Sequence, residues 1–174
     1  MQWIVNTLEK TSGRKGLIIL GVSSALIFGL IWALIIKLMT LTGGTGILDF
    51  EIGYTPEKVQ AVLGRYGTEG MALYRKIQWL DLINPVLYGL LMASILYRLY
   101  PPQESWSRLV LLPLAAALLD YAENGVLFIL ATDYPDISTQ WVGVGAVLSL
   151  LKNAVLFLAT MVLLVGAWRW YRQR

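Results

Sequence analysis

The sequence predicts an all-α fold, a four-helix bundle built into a membrane, with a short amphipathic helix in its first extracytoplasmic loop. Three observations carry this reading. Hydrophobic residues fill 57% of the 174 positions and mean hydropathy is +0.62, well beyond the balance of a soluble domain. The apolar residues gather into four runs close to the ~20 residues that cross about 30 Å of hydrocarbon. Between the runs lie the glycines, prolines and charges that punctuate helices. The expected organisation is one four-span domain over 1–174, with spans at about 17–38, 79–100, 109–130 and 141–168.

Residues 1–16 carry Lys10, Arg14 and Lys15 ahead of the first run. Its uncharged stretch, Leu17 to Ile36, exceeds the 7–15 apolar residues of a signal peptide, so a membrane span is expected there. Residues 43–78 form the extracytoplasmic loop, where Gly43-Gly44 reads as a turn. Thr55-Pro56-Glu57 combines a hydroxyl N-cap with a proline at the first helical position. Val59, Val62, Leu63 and Tyr66 then repeat at helical spacing, and Gly67 reads as the stop. This apolar stripe is expected to lie on the membrane surface or to cap the bundle.

A second helix start at Thr68-Glu69 is expected to run unbroken through Tyr74, Arg75 and Trp79 into the second span. Pro85 lacks a backbone donor, so a kink is expected near Asp81. Pro101-Pro102 ends this span. The third ends at the turn 132–140, and the fourth ends in Arg169, Arg172 and Arg174 beside Trp168, Trp170 and Tyr171. Tyr97, Tyr100, Trp106 and Trp141 read as interface anchors, and Gly143, Gly145 and Ala146 as a surface permitting close helix contact.

Eight basic residues flank the spans on one side: Lys10, Arg14, Lys15, Arg98, Arg108, Arg169, Arg172 and Arg174. Five are spread along the long loop of the other. The positive-inside rule then places both termini in the cytoplasm, in the inner (plasma) membrane of the cell. With basic residues beside the apolar runs, orientation explains the +3 net charge and no nucleic-acid partner is expected. The chain has neither cysteine nor histidine, which removes thiolate chemistry, disulfides and the usual zinc and haem ligation. No cofactor and no metal site is expected.

Polar residues inside the apolar runs point to a site. Asp120, Glu123 and Asn124 share one helical face at i, i+3 and i+4, about 16 Å into the third span. Lys152 lies at the same depth in the fourth span, which runs the opposite way. A lone charge at midplane costs about 3 kcal/mol or more, so Lys152 is expected to meet Asp120 or Glu123, with Ser149 and Asn153 extending the polar surface. Asp81, Asn84 and Tyr88 share a face of the second span. The expected result is a polar cavity, open to the extracytoplasmic side, lined by Asp81, Asn84, Tyr88, Asp120, Glu123, Asn124 and Lys152. These are the ligand-binding or proton-bearing candidates. Three carboxylates facing one lysine cannot all ionise cheaply in a dry site. The surplus acid could hold a headgroup, relay a proton or serve acid–base chemistry; equally, a buried pair could serve only to fix which helices are neighbours.

On Tyr54-Thr55-Pro56-Glu57-Lys58-Val59, Gly67-Thr68-Glu69-Gly70, Asp81 with Asn84-Pro85 and Tyr88, and Asp120-Tyr121-Ala122-Glu123-Asn124, the chain resembles an uncharacterised family of small four-span bacterial membrane proteins. That resemblance implies the span layout and the choice of acids, and no activity. A looser, architectural likeness is to the sterol-isomerase and sigma-2-receptor superfamily, whose carboxylates line a pocket for amphiphiles; no residue is carried over from it.

Three functions follow as expectations. The first is binding of a small amphiphilic or lipid-like ligand in the carboxylate–lysine cavity, with catalysis left open. The second is a role as accessory or assembly subunit of a larger membrane complex. The third is a proton or cation pathway. The expected partners are the lipid bilayer and, by hypothesis, an amphiphile or a membrane protein.

Overall fold

The computed structural model of the protein describes residues 2–100 and 105–173, with the backbone alone for 105–107. Pro101-Pro102, the Trp106 side chain and Arg174 therefore lie outside the described residues. The described chain is helical, without strands: α1 (Gln2–Thr11), α2 (Arg14–Leu41), α3 (Pro56–Asp81), α4 (Asn84–Leu99), α5 (Leu111–Asp133) and α6 (Thr139–Arg172), with 3-10 turns at Leu48–Phe50 and Ser105–Val110. Four helical stretches, Arg14–Leu41, Pro56–Leu99, Arg108–Asp133 and Thr139–Arg172, are long and apolar enough to cross a membrane.

α5 is the hub, packing against both α4 and α6. Half of its most apolar stretch is buried, against 17% for α2 and for α6, whose outer faces remain apolar and exposed. Two apolar cores result. The larger, at the end where α2 finishes, joins Ile31, Ile35 and Leu38 of α2 to Val59, Val62, Leu63, Tyr66 and Tyr74 of α3 and to Leu127 and Leu130 of α5. The smaller, at the other end, contains Leu8, Ala93, Leu96, Tyr100 and Val110. Of the two expected roles for the α3 stripe, the structure shows capping of the bundle.

α3 follows its sequence signals at both ends. The Thr55 hydroxyl accepts from the Lys58 amide at the N-cap, and Pro56 is the first helical residue. Gly67 adopts φ 57° and ψ −166° inside the helix. A side chain is strained in that conformation, and the chain there turns from one helical segment into the next, as expected. The run from Thr68 into the second span shows the kink expected near Asp81, and only its being unbroken is corrected: Leu82 and Ile83 keep helical dihedrals, but regular helix stops there. It breaks at Leu82-Ile83, where the Ile83 amide turns back to the Leu80 carbonyl, and α4 starts at Asn84-Pro85. Proline accounts for this, since it has no N–H to continue the α3 ladder and its ring crowds the preceding turn.

Further expectations are revised. Residues 2–11, read as a basic flank, form a helix that buries Leu8 against α4, and Thr11 Oγ1 lies 2.6 Å from Ser94 Oγ. Tyr100, expected at an interface, is buried, and its hydroxyl donates to the Val162 carbonyl at 3.1 Å. In the glycine group, Gly145 alone is crowded: a Cβ there would collide with Tyr54 Oη and come within 2.9 Å of Val126 Cγ1, whereas around Gly143 there is open space.

The loop after α2 turns at Gly43 and Gly44, both with positive φ, and then folds back down the bundle. Tyr66 Oη holds it by donating to the Gly46 carbonyl at 2.8 Å. Ile47, Leu48 and Tyr54 are buried, and Phe50 packs on Trp32 with ring centroids 5.5 Å apart. Trp32 lies nine residues before Leu41, so the loop descends about 14 Å beside α2.

Candidate functional site

The polar residues of α5 face inward because their spacing puts them on its buried side. Asp120 and Asn124 are nearly buried and Glu123 is fully so. Lys152 of α6 meets both acids: its Nζ lies 3.3 Å from Asp120 Oδ1 and 2.5 Å from Glu123 Oε2. Tyr88 of α4 donates to the other oxygen of Asp120 at 2.9 Å. One group of expected residues, Tyr88, Asp120, Glu123 and Lys152, is thus a single connected network.

Asp81 stands at the end of α3, where the chain breaks, and forms a second group. Its two oxygens accept from Asn84 Nδ2 at 3.2 Å and from Asn124 Nδ2 at 2.9 Å. Tyr121 Oη donates to the Leu82 carbonyl at 2.5 Å, a backbone group freed by the break. The helix interruption therefore supplies a reason for Asp81 to be there. An acid at the tip of a helix can take both donors from neighbouring chain segments without distorting a helical ladder.

Sequence reasoning missed Asp49. The descending loop brings it to the same cavity as Asp81, Asn84, Asp120 and Lys152. Its side-chain hydrogen bond among the described residues is a long one, from Tyr74 Oη at 3.4 Å, and its own backbone N–H also favours the carboxylate. Burial, reinforced by Asp81 and Glu123 and opposed by Lys152, pushes its carboxyl up to about 7. Burial with the charges of Glu123 and Asp49 also raises the Tyr54 phenol. A signal existed in the sequence: Ile47, Leu48 and Phe50 are large apolar residues around one acid in a loop otherwise rich in glycine.

The cavity itself holds about 140 Å³. Its floor is acidic and its wall is made by Ile31, Ile35, Ile47 and Ile77. Its rim is aromatic, with Phe28, Trp32 and Phe50 exposed by 54%, 37% and 53%. Two expectations change here. Tyr88, Glu123 and Asn124 do not line the cavity; they hold the residues that do. The rim also lies on the flank of the bundle between α2 and the loop, not at its end, because the descending loop occupies the end. Asn153 is corrected too: it folds back on the Ser149 carbonyl of its own helix at 2.8 Å. Ser149 itself is buried and donates to the Glu51 carbonyl of the loop at 3.4 Å.

The site has far more acceptors than donors. Buried Glu123 Oε1 and Tyr54 Oη have no hydrogen-bond partner among the described residues, an arrangement that costs free energy when left unmet. No cluster of three or more acids among the described residues has metal-holding geometry. The arrangement suits a small polar group inside and an apolar chain outside. In comparisons with known proteins, no family model, curated protein or solved structure matches the chain.

Proposed function

We propose that this chain is a multi-pass protein of the inner (plasma) membrane, with cytoplasmic termini, that binds the polar headgroup of a small amphiphile or lipid in the acidic cavity. One observation carries the reading: a single cavity of about 140 Å³ joins a floor containing Asp49, Asp81, Asp120 and Lys152 to an exposed aromatic rim. An amphiphile needs both surfaces, polar within and apolar without. The resemblance to small four-span bacterial membrane proteins agrees with the layout and adds no chemistry.

Two features weigh on the alternatives. A proton or cation pathway needs polar groups along the whole bundle, but the end closed by Leu8, Ala93, Leu96 and Val110 is apolar. The accessory-subunit reading is favoured by the exposed apolar faces of α2 and α6, which lipid covers equally well. The test is native mass spectrometry of protein extracted from its membranes in mild detergent, comparing wild type with Asp120→Asn. Wild type should retain one amphiphile per chain, and a folded Asp120→Asn protein should lose most of it. A lipid-free wild type, or one bound to a stoichiometric protein partner instead, defeats the proposal.

A further inference from the structure

We infer that the cavity selects a cationic headgroup and that Asp49 is its counter-ion, giving up a proton as the cation arrives. This inference rests on the ligand-binding reading above and adds the charge of the ligand and the residue that answers it.

A census of compensating groups carries the inference. Among the described residues Asp49, Asp81, Asp120 and Glu123 stand against Lys152 alone. Three of these acids already have good partners. Asp120 has Tyr88 and Lys152, Glu123 has Lys152, and Asp81 has the amides of Asn84 and Asn124. Asp49 has the distant Tyr74 hydroxyl and a hydrogen bond from its own backbone, with no cation or amide side chain bonded to it among the described residues. The one cation is taken twice over, so an anionic ligand finds no free positive charge, while a cationic ligand finds one carboxyl, Asp49, that no cation or amide side chain has claimed.

The cavity wall supports the same sign. Trp32, Phe28 and Phe50 place three aromatic rings at the rim, and aromatic rings attract cations over their faces by up to ~2 kcal/mol when desolvated. α2 contributes no charge to the cavity; its lining residues are Phe28, Ile31, Trp32 and Ile35.

Proton exchange follows from the surroundings of Asp49. The groups facing it are Tyr66, Tyr74 and Asp81 from α3, Asp120 and Glu123 from α5 and Lys152 from α6, with Tyr54 from its own loop and Asn84 of α4 on the cavity wall. On its own loop Glu51 is occupied by Lys58 at 2.8 Å. In the empty site burial and the neighbouring acids favour the protonated carboxyl, with its midpoint near 7. An ammonium group beside it favours the carboxylate. One positive charge enters and one proton leaves, so the net charge of the cavity is unchanged.

The experiment uses the full chain in a nonionic detergent or nanodisc. Its probes are dodecylamine, which stays charged below about pH 9 as lysine does, and 1-dodecanol, which has the same chain and no charge. Calorimetry in two buffers of different ionisation enthalpy gives affinity and proton release together. Below pH 7, dodecylammonium should release close to one proton on binding, and its affinity should rise about tenfold per pH unit up to that point. Asp49→Asn should abolish proton release and pH dependence and weaken dodecylammonium at least tenfold, with dodecanol unaffected. Tyr74→Phe removes the one side-chain donor to Asp49 among the described residues, so the midpoint should move upward, which provides a second readout should Asp49→Asn fold poorly. Dodecanol binding as tightly as dodecylammonium, without proton release, overturns the inference and leaves the cavity reading intact. Folded protein that binds neither probe overturns both.

Discussion

At the α1 end of the bundle, Leu8, Ala93, Leu96, Tyr100 and Val110 close the helices with a small apolar cluster. At the other end the same α4, α5 and α6 surround acids, amides, hydroxyls and a lysine, and a loop descends to cover them. The helices are alike in composition, so the difference lies in which residues occupy their inward faces and in what fills the gap. The apolar end is closed by shape and by two hydrogen-bonded contacts, Thr11 with Ser94 and Tyr100 with the Val162 carbonyl. The polar end must also pair charges: Lys152 meets Asp120 and Glu123, the broken helix brings Asp81 to two amides, and the loop adds Asp49, whose partners are poor. Function in a helix bundle of this kind is therefore to be sought where regular helix stops, since a continuous helix offers no free backbone group or turning chain to meet a buried charge.

The sharpest way to break this comparison is at Lys152. Lys152→Met leaves Asp120 and Glu123 without a cation, and removing one partner of a buried pair costs about 3–5 kcal/mol. Thermal unfolding in detergent should show a large loss, and adding Asp120→Asn and Glu123→Gln should recover most of it. If the single change leaves the unfolding temperature unmoved, the polar end is not held by charge pairing. Truncation at the apolar end sharpens the contrast. Leu96→Ala empties volume in a fully buried position and should cost about 2 kcal/mol. The loss should be the same at pH 6 and pH 8, and ligand binding should be unchanged, because no carboxylate or lysine lies in that cluster.

A smaller effect tests the link between loop and helix. Gly145→Ala places a methyl group against Tyr54 Oη and Val126, and overpacking of this kind costs about 1 kcal/mol or slightly more. The displaced loop should weaken ligand binding as well as stability. Gly143→Ala, with open space around it, should do neither. Equal behaviour of the two variants would show that Tyr54 does not anchor the loop.

Much of this arrangement is legible in the sequence, for stated physical reasons. The i, i+3, i+4 spacing of Asp120, Glu123 and Asn124 fixes a common face on any helix, and the cost of an unpaired charge in an apolar run then calls for Lys152. Gly67 and Thr55-Pro56 mark helix ends through backbone geometry alone. What escaped reading has no periodicity to reveal it. Asp49 sits in a loop, and only tertiary packing of Ile47, Leu48 and Phe50 decides that the loop goes inward. Whether Asn84-Pro85 kinks or severs a helix depends on which neighbours satisfy the freed groups, here Tyr121 on the Leu82 carbonyl. Tyr100 carries the amphipathic chemistry of an interface residue, but its partner, the Val162 carbonyl, lies sixty-two positions away, beyond any local pattern.

On the amphiphile-binding proposal, the flank position of the Phe28, Trp32 and Phe50 rim determines the route by which the ligand arrives. A hydrophobic molecule dissolves first in the surrounding lipid and reaches the opening by sideways diffusion, so occupancy follows its mole fraction among lipids and not its concentration in water. Reconstitution into a larger excess of phospholipid should therefore empty the site even when the aqueous concentration is held constant.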